Sequence, residues 1–174
     1  ALWVTGVDYE QVKYHLSTSL GEQDNDQTVA SIYSRFVQPL SDRIEMTSGL
    51  RFAQSDNEVT DGFKFATPTK IKDNVWGGEL GFRFGVSGNT TGFARLERVY
   101  RFGKFDEHTT FAVTTPLNPS TGYSYEAGIE RNGDSSTLVL SIWQIDLNNE
   151  IAFDPSAGDN VNLPPTRRVG VTVN

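Results

Sequence analysis

The amino-acid sequence predicts an all-β protein, an antiparallel up-and-down meander of about eight strands. Apolar and polar residues alternate in twos over segments of roughly ten residues, which is the period of a half-buried strand. Turn-forming residues, such as the pair Asn132-Gly133, separate several of these segments. Thr, Ser, Gly and aromatic residues are plentiful, and no segment shows the apolar spacing of a helix.

The first strand is predicted over Leu2 to Leu16, and a hairpin follows over residues 28–54 with its turn at 39–42. The second strand of this hairpin separates its side chains most clearly, because neighbouring side chains of a strand point to opposite faces. One face carries Ile44, Met46, Ser48, Leu50 and Phe52, and the other carries Glu45, Thr47, Gly49 and Arg51. The two faces therefore need different surroundings.

The same alternation recurs further along the chain. The remaining strands are predicted at Val75 to Val86, Gly92 to Arg101, Thr121 to Arg131, Ser136 to Leu147, and from Thr166 onward. Charged residues occupy mid-strand positions on the polar face, including Arg51, Glu79, Arg83, Arg95, Glu126 and Glu130. Such side chains can pair across strands in a wet barrel lumen.

Short and long connections alternate between these strands. The long ones are predicted at about 17–27, 55–74, 102–119 and 148–165. Short turns at one end and long loops at the other are typical of an outer-membrane β-barrel. Strands of about ten residues also suit a tilted bilayer crossing. A soluble β-sandwich or barrel alternates too, and would place Arg51 and Arg83 on its outer surface.

Composition excludes several classes of function. The net charge is −7 with no block of Lys or Arg, which argues against a nucleic-acid partner. The absence of cysteine excludes disulfides and cysteine zinc sites. Every apolar run is far shorter than the roughly 20 residues of a membrane helix.

Short motifs, in their order along the chain, resemble the barrel of TonB-dependent outer-membrane receptors. They are Gly49-Leu50-Arg51-Phe52, Tyr100-Arg101-Phe102 with Asp106-Glu107, Leu117-Asn118-Pro119 with Tyr125-Glu126-Ala127-Gly128, Asn149-Glu150, and Asn162 with Arg167-Arg168 and Gly170. Ser120 and Thr172 stand where the family usually has Glu.

The resemblance implies a receptor of the bacterial outer membrane that takes up ferric siderophores or similar scarce nutrients. Its partners would be outer-membrane lipid, the small nutrient, and the TonB system, which acts through a plug domain. Because the family's barrels have about 22 strands, residues 1–174 are expected to be a single β-barrel segment, without plug domain or signal peptide, from the middle to later part of a larger receptor. The alternatives are a small stand-alone outer-membrane barrel and a soluble β-barrel that binds an apolar ligand.

Four aromatic residues assigned to loops are predicted to contact the ligand, because apolar rings suit siderophore faces: Phe63, Phe65, Phe105 and Tyr123. No catalytic residue, metal site or cofactor is predicted. His15 and His108 are predicted as surface residues, since a metal site needs three or four convergent ligands. No Ser-His-Asp set is recognisable, so the chain is not predicted to be an enzyme.

Overall fold

The computed structural model describes residues 1–18, 21–61, 65–104, 107–108 and 116–174, and for residues 18, 21, 61 and 65–67 it describes the backbone only. Within these residues the chain forms ten strands. They are β1 (Leu2–Thr18), β2 (Gly21–Ser41), β3 (Ile44–Asp61), β4 (Phe65–Ser87), β5 (Thr90–Arg101), β6 (Ser120–Asn132), β7 (Thr137–Asn148), β8 (Ile151–Asp154), β9 (Asp159–Asn162) and β10 (Thr166–Val173). The described residues include no helix that could cross a bilayer.

Eight of the strands form one antiparallel sheet in the order β1-β2-β3-β4-β5-β6-β7-β10, and β8 and β9 form a separate hairpin. Each strand of the sheet pairs with its neighbour in sequence, apart from the β8–β9 hairpin inserted before β10. The predicted eight-stranded meander is therefore confirmed. Among the described pairings, β1 and β10 each have a neighbour on one side only, which leaves both edges of the sheet open.

Two of the predicted long connections are wrong. Residues 17–27 and 55–74 mostly continue the strands: β1 pairs with β2 as far as Thr18 opposite Gly21, and β3 pairs with β4 as far as Asp61 opposite Phe65. The prediction failed because polar residues predominate there and isolated apolar ones such as Val59 and Ile71 do not form an alternating run, although the backbone ladder continues in the described residues. The connection at 148–165 likewise contains the β8–β9 hairpin.

Cross-strand ion pairs accompany these strand extensions. Lys13 lies 3.3 Å from Asp26, and Lys70 lies 3.4 Å from Glu58. Both pairs are directly opposite in register. Each exposed pair of this kind contributes little stability. The charged side chains do make these strand extensions compatible with water on this face.

The register assigns every side chain of the sheet to one of two faces. We call the face that carries Ile44 and Phe52 the apolar face, and the face that carries Glu45 and Arg51 the polar face. The large residues of the apolar face are well exposed: Phe52 is 51% exposed and Trp76 is 42% exposed. This chain therefore leaves its apolar face uncovered.

Burial is concentrated on the polar face of the extended strands. Val59 and Ile71 form a small apolar cluster there, and both are almost completely buried. Polar side chains surround the cluster, with Ser55 and Asn57 buried as well. The core is thus small and partly polar, which places most of the apolar surface outside it.

Candidate functional site

Side chains from alternate strands meet on the polar face. Arg35 of β2 reaches over β3 to Glu79 of β4, with Arg35 Nε donating to Glu79 Oε1 at 2.7 Å. The residue between them in register is Gly49. A Cβ on Gly49 would lie 2.8 Å from Glu79 Oε1, so glycine leaves the space in which the pair forms. Convergence of this kind suits the inside of a curved sheet.

A second bridge of this kind crosses β2. Arg51 Nη2 donates to Asp8 Oδ2 and to Ser31 Oγ, both at 2.7 Å. The Arg51 guanidinium also lies 5.5 Å from the centre of the Tyr33 ring. The Tyr33 hydroxyl in turn occupies the space where a Cβ on Gly6 would be. Glycine at position 6 therefore makes room for the Tyr33 ring, over which the Arg51 guanidinium lies.

Further ion pairs continue the pattern on β4 to β6. Arg95 lies opposite Glu126 and donates to it at 2.7 Å, while Arg83 donates to Glu130 at 3.1 Å. The Arg95 side chain is 49% exposed, so these charges face solvent rather than a dry core. Together the pairs make a wet, hydrogen-bonding surface of both signs, which can hold a polar partner or let a polar solute pass.

The segment after β5 folds back onto the polar face. Gln27 Nε2 donates to Gly103 O at 3.2 Å, and the two residues are 76 apart in sequence. Arg101 Nη1 donates to both carboxylate oxygens of Glu107, at 2.9 and 2.7 Å, which closes the segment on itself. The described parts of the predicted loop 102–119 contain no strand.

Side-chain hydrogen bonds to the backbone fasten the β8–β9 hairpin to the sheet. Asn162 Nδ2 donates to Asn118 O and Asn149 O, both at 2.9 Å. Ser120 Oγ donates to Asn149 O at 2.8 Å and accepts from the Ile151 N–H at 3.2 Å. Ser120, a departure from the family pattern, therefore has a structural task of its own.

An ion pair supports the same junction. Arg168 donates to Glu150 at 2.5 Å, and Thr166 Oγ1 donates to the other carboxylate oxygen at 2.9 Å. The hydrogen bond from Arg168, followed by that from Thr166, lowers the pKa of Glu150 below its ordinary value. The sequence motifs include Glu150 and Arg168, but only the structure shows that their ion pair fixes the connection between β7 and the β8–β9 hairpin to β10.

Most of the predicted ligand contacts fall outside the described side chains. Phe63 and Phe105 lie outside the described residues, and Phe65 begins β4 with its side chain outside them. Tyr123 lies within β6 rather than in a loop, on the apolar face with Tyr125. Its assignment to a loop is wrong, and the strand predicted at Thr121 to Arg131 already included it.

The two histidines have different surroundings. His15 is exposed and bonds to Asp24 at 2.7 Å, and this hydrogen bond raises its pKa. His108 is buried at 2% exposure, so the prediction of a surface residue is wrong. It packs against Gly103 in the segment that folds onto the polar face. Among the described residues no group of His, Asp or Glu has the arrangement of a metal site.

Comparison with solved structures identifies the fold. The copper transporter OprC superimposes with a TM-score of 0.84 at 15% identity, covering 98% of this chain and 31% of that one. The ferric-catecholate import receptor Fiu from E. coli K12 gives 0.67 at 12% identity over 87% of this chain and 26% of that one. The alcaligin receptor FauA from Bordetella pertussis gives 0.66 at 11% identity over 97% and 31%.

The chain thus spans about a quarter to a third of the length of these structures. No curated protein sequence matches it. A sequence model described as "TonB dependent receptor-like, beta-barrel" matches residues 2–174. Since the match covers nearly the whole chain, the chain belongs to the family of TonB-dependent receptor-like β-barrels.

Proposed function

We propose that residues 1–174 form part of the barrel of an outer-membrane receptor that imports a scarce nutrient with energy passed on by the TonB system. The family is made up of receptors and transporters of the bacterial outer membrane. The observation that carries the proposal is the division of the sheet into an exposed apolar face and a wet, ion-paired polar face. Lipid covers the first, and the second lines the lumen.

The partial length and the open edges support a piece of a larger barrel. Unpaired strand edges are costly in lipid, because no water is present to satisfy the backbone groups. In the proposed receptor, further strands pair with β1 and β10, and a plug domain contacts the polar face. A stand-alone eight-stranded barrel would need β1 and β10 to pair with each other, and the described pairings do not include that contact.

A soluble barrel is the weaker alternative. It would bury the apolar face in its interior, yet Phe52 and Leu50 are about half exposed on that face. The ion-paired face would then be its outer surface, although buried residues such as Ser55 and Val59 lie on that side. The exposure pattern therefore favours the membrane reading.

The nutrient is proposed as a ferric siderophore or another small metal-bearing solute. Fiu and FauA are named for ferric-catecholate and alcaligin, while OprC is named as a copper transporter, so copper is a candidate as well. Contacts from Phe63, Phe65 and Phe105 to this ligand stay a prediction. The contact predicted for Tyr123 also stays untested, although its position favours the membrane interface.

Uptake measurements test the proposal. Cells lacking the gene should lose accumulation of one iron chelate, or of copper, from a labelled panel, and the intact gene should restore it. Unchanged accumulation of every solute in the panel would contradict an import function. Fractionation of the envelope should place the protein in the outer membrane, and recovery in the soluble fraction would support the alternative.

A further inference from the structure

Four polar side chains form one row across β5, β6, β7 and β10 on the apolar face. The row lies where the apolar surface of these strands ends. Arg98 of β5 is opposite Tyr123 of β6, Tyr123 is opposite Asp146 of β7, and Asp146 is opposite Arg167 of β10. On the same strands, the next row toward the short turns carries Leu96, Tyr125, Gln144 and Val169. The row therefore marks the edge of the hydrocarbon region.

One cation of this row lacks an acidic partner. Arg167 is held by Asp146 through two hydrogen bonds, at 2.6 and 3.2 Å. Arg98 instead lies over the Trp76 ring, 4.1 Å from its centre, and donates Nη1 to the Trp76 carbonyl. No described carboxylate pairs with Arg98, so two guanidinium groups and one carboxylate leave one net positive charge on the row.

The Trp76 ring fixes the position of the Arg98 guanidinium. The backbone carbonyl of Trp76 accepts a hydrogen bond from Nη1 only. The Nε and Nη2 groups remain to donate, and the fork geometry of guanidinium suits a phosphate. Tyr123 is 43% exposed and brings a hydroxyl to the next position of the row. Directly below, Tyr125 and Val169 offer exposed apolar surface that can hold acyl chains.

We propose that Arg98 binds the anionic phosphate headgroup of a lipid in the surrounding leaflet, with Tyr123 on the next strand as a neighbouring donor and the acyl chains on the apolar face. Charge complementarity argues for this occupant, because a net cation at the edge of an exposed apolar surface matches an anionic amphiphile. The inference rests on the apolar face lying in lipid, but it is independent of which nutrient the receptor imports.

The test uses the full-length receptor in detergent, with bound lipid counted by native mass spectrometry. Dioleoyl phosphatidic acid should be retained in preference to dioleoyl phosphatidylcholine, which has the same chains. Arg98→Gln should weaken retention of phosphatidic acid by about ten-fold or more, since a hydrogen bond to a charged group is lost. Equal retention of the two lipids by the unaltered receptor would overturn the proposal.

Lys70→Gln is the matched control, because Lys70 carries the same charge on the same face but pairs with Glu58 beyond the apolar surface. It should retain phosphatidic acid like the unaltered receptor. Equal losses in Lys70→Gln and Arg98→Gln would overturn the proposal. If Arg98→Gln does not fold, Arg98→Lys decides: it keeps the charge, loses the fork, and should bind several-fold more weakly.

Free inorganic phosphate distinguishes a lipid site from a plain anion site. Because the acyl chains contribute to binding, millimolar phosphate should leave phosphatidic acid in place. Displacement of the lipid by phosphate would overturn the lipid assignment. Lipid retention is measured without any imported solute, so its failure and a failure of the import function are separate results.

Discussion

Replacing Gly49 by alanine should disturb one ion pair and little else. The new Cβ would lie 2.8 Å from Glu79 Oε1 and 2.9 Å from its Cγ, so the carboxylate must move away from Arg35. A partly exposed ion pair of this kind contributes about 0.2–1 kcal/mol. Removing glycine from a strand gains roughly 0.5–1 kcal/mol. The two effects nearly cancel, so Gly49→Ala alone should change the free energy of unfolding by less than about 1 kcal/mol.

The prediction becomes sharp in a double-mutant cycle. With Glu79→Ala in place the side chain that Gly49→Ala displaces is gone, so the same substitution should stabilise the protein by roughly 0.5–1 kcal/mol. Equilibrium urea unfolding of the receptor in lipid vesicles measures all four proteins. An equal effect of Gly49→Ala with and without Glu79 would refute the steric reasoning.

Gly81→Ala is the control for this cycle. Gly81 also lies on the polar face of β4, but a Cβ there would meet its nearest atoms at 3.8 Å, an ordinary contact. The substitution should therefore stabilise the protein slightly and to the same extent in both backgrounds. A dependence on Glu79 as strong as that of Gly49 would show that the coupling is not local.

Three further predictions follow from the same contacts. Gly122→Ala should destabilise the barrel by about 1–3 kcal/mol in urea unfolding, because its Cβ would overlap a backbone carbonyl of β7 that cannot turn aside. Gln27→Leu should loosen residues 101–104 and speed limited trypsin digestion after Arg101 and Lys104 roughly two- to ten-fold, since a hydrogen bond worth about 0.5–1.5 kcal/mol is lost; unchanged digestion would contradict the anchoring. Glu150 has a lowered pKa in the folded protein, so its stabilisation of the β8–β9 junction is full above its ordinary value of 4.5 and is lost as the pH falls through the lowered pKa. The hydrogen-exchange protection of the hairpin, taken relative to the intrinsic exchange rate at each pH, should fall in acid, and Glu150→Gln should remove that fall, whereas a pH response that survives the substitution would assign it to another group.

Much of the sheet can be predicted from residue alternation alone. The hairpin around Ser41 and the assignment of Arg51 and Glu79 to one face both follow from the period of two. Where the alternation of apolar and polar residues ends, the sequence no longer predicts a strand. Residues 17–27 and 55–74 are mostly polar, so they resemble loops although their described residues largely continue the strand pairing.

The contacts of the candidate site cannot be predicted from the sequence for a different reason. Gln27 and Gly103 meet across 76 residues, and nothing local to either one signals the contact. The bridge from Arg35 to Glu79 depends on a glycine in a third strand. Such contacts follow from register and curvature, which the sequence encodes only through the whole sheet.

Cysteine labelling tests the division of the sheet most directly. Residues 1–174 contain no cysteine, so single cysteines can be placed at Thr47 and Ser124 on the polar face and at Ser48 and Ala127 on the apolar face. Any cysteine outside this segment is replaced first. In outer membranes, a charged water-soluble maleimide should label the first two positions and leave the second two unlabelled. Labelling of Ser48 and Ala127 as fast as Thr47 and Ser124 would show that water reaches both faces and would contradict a membrane barrel.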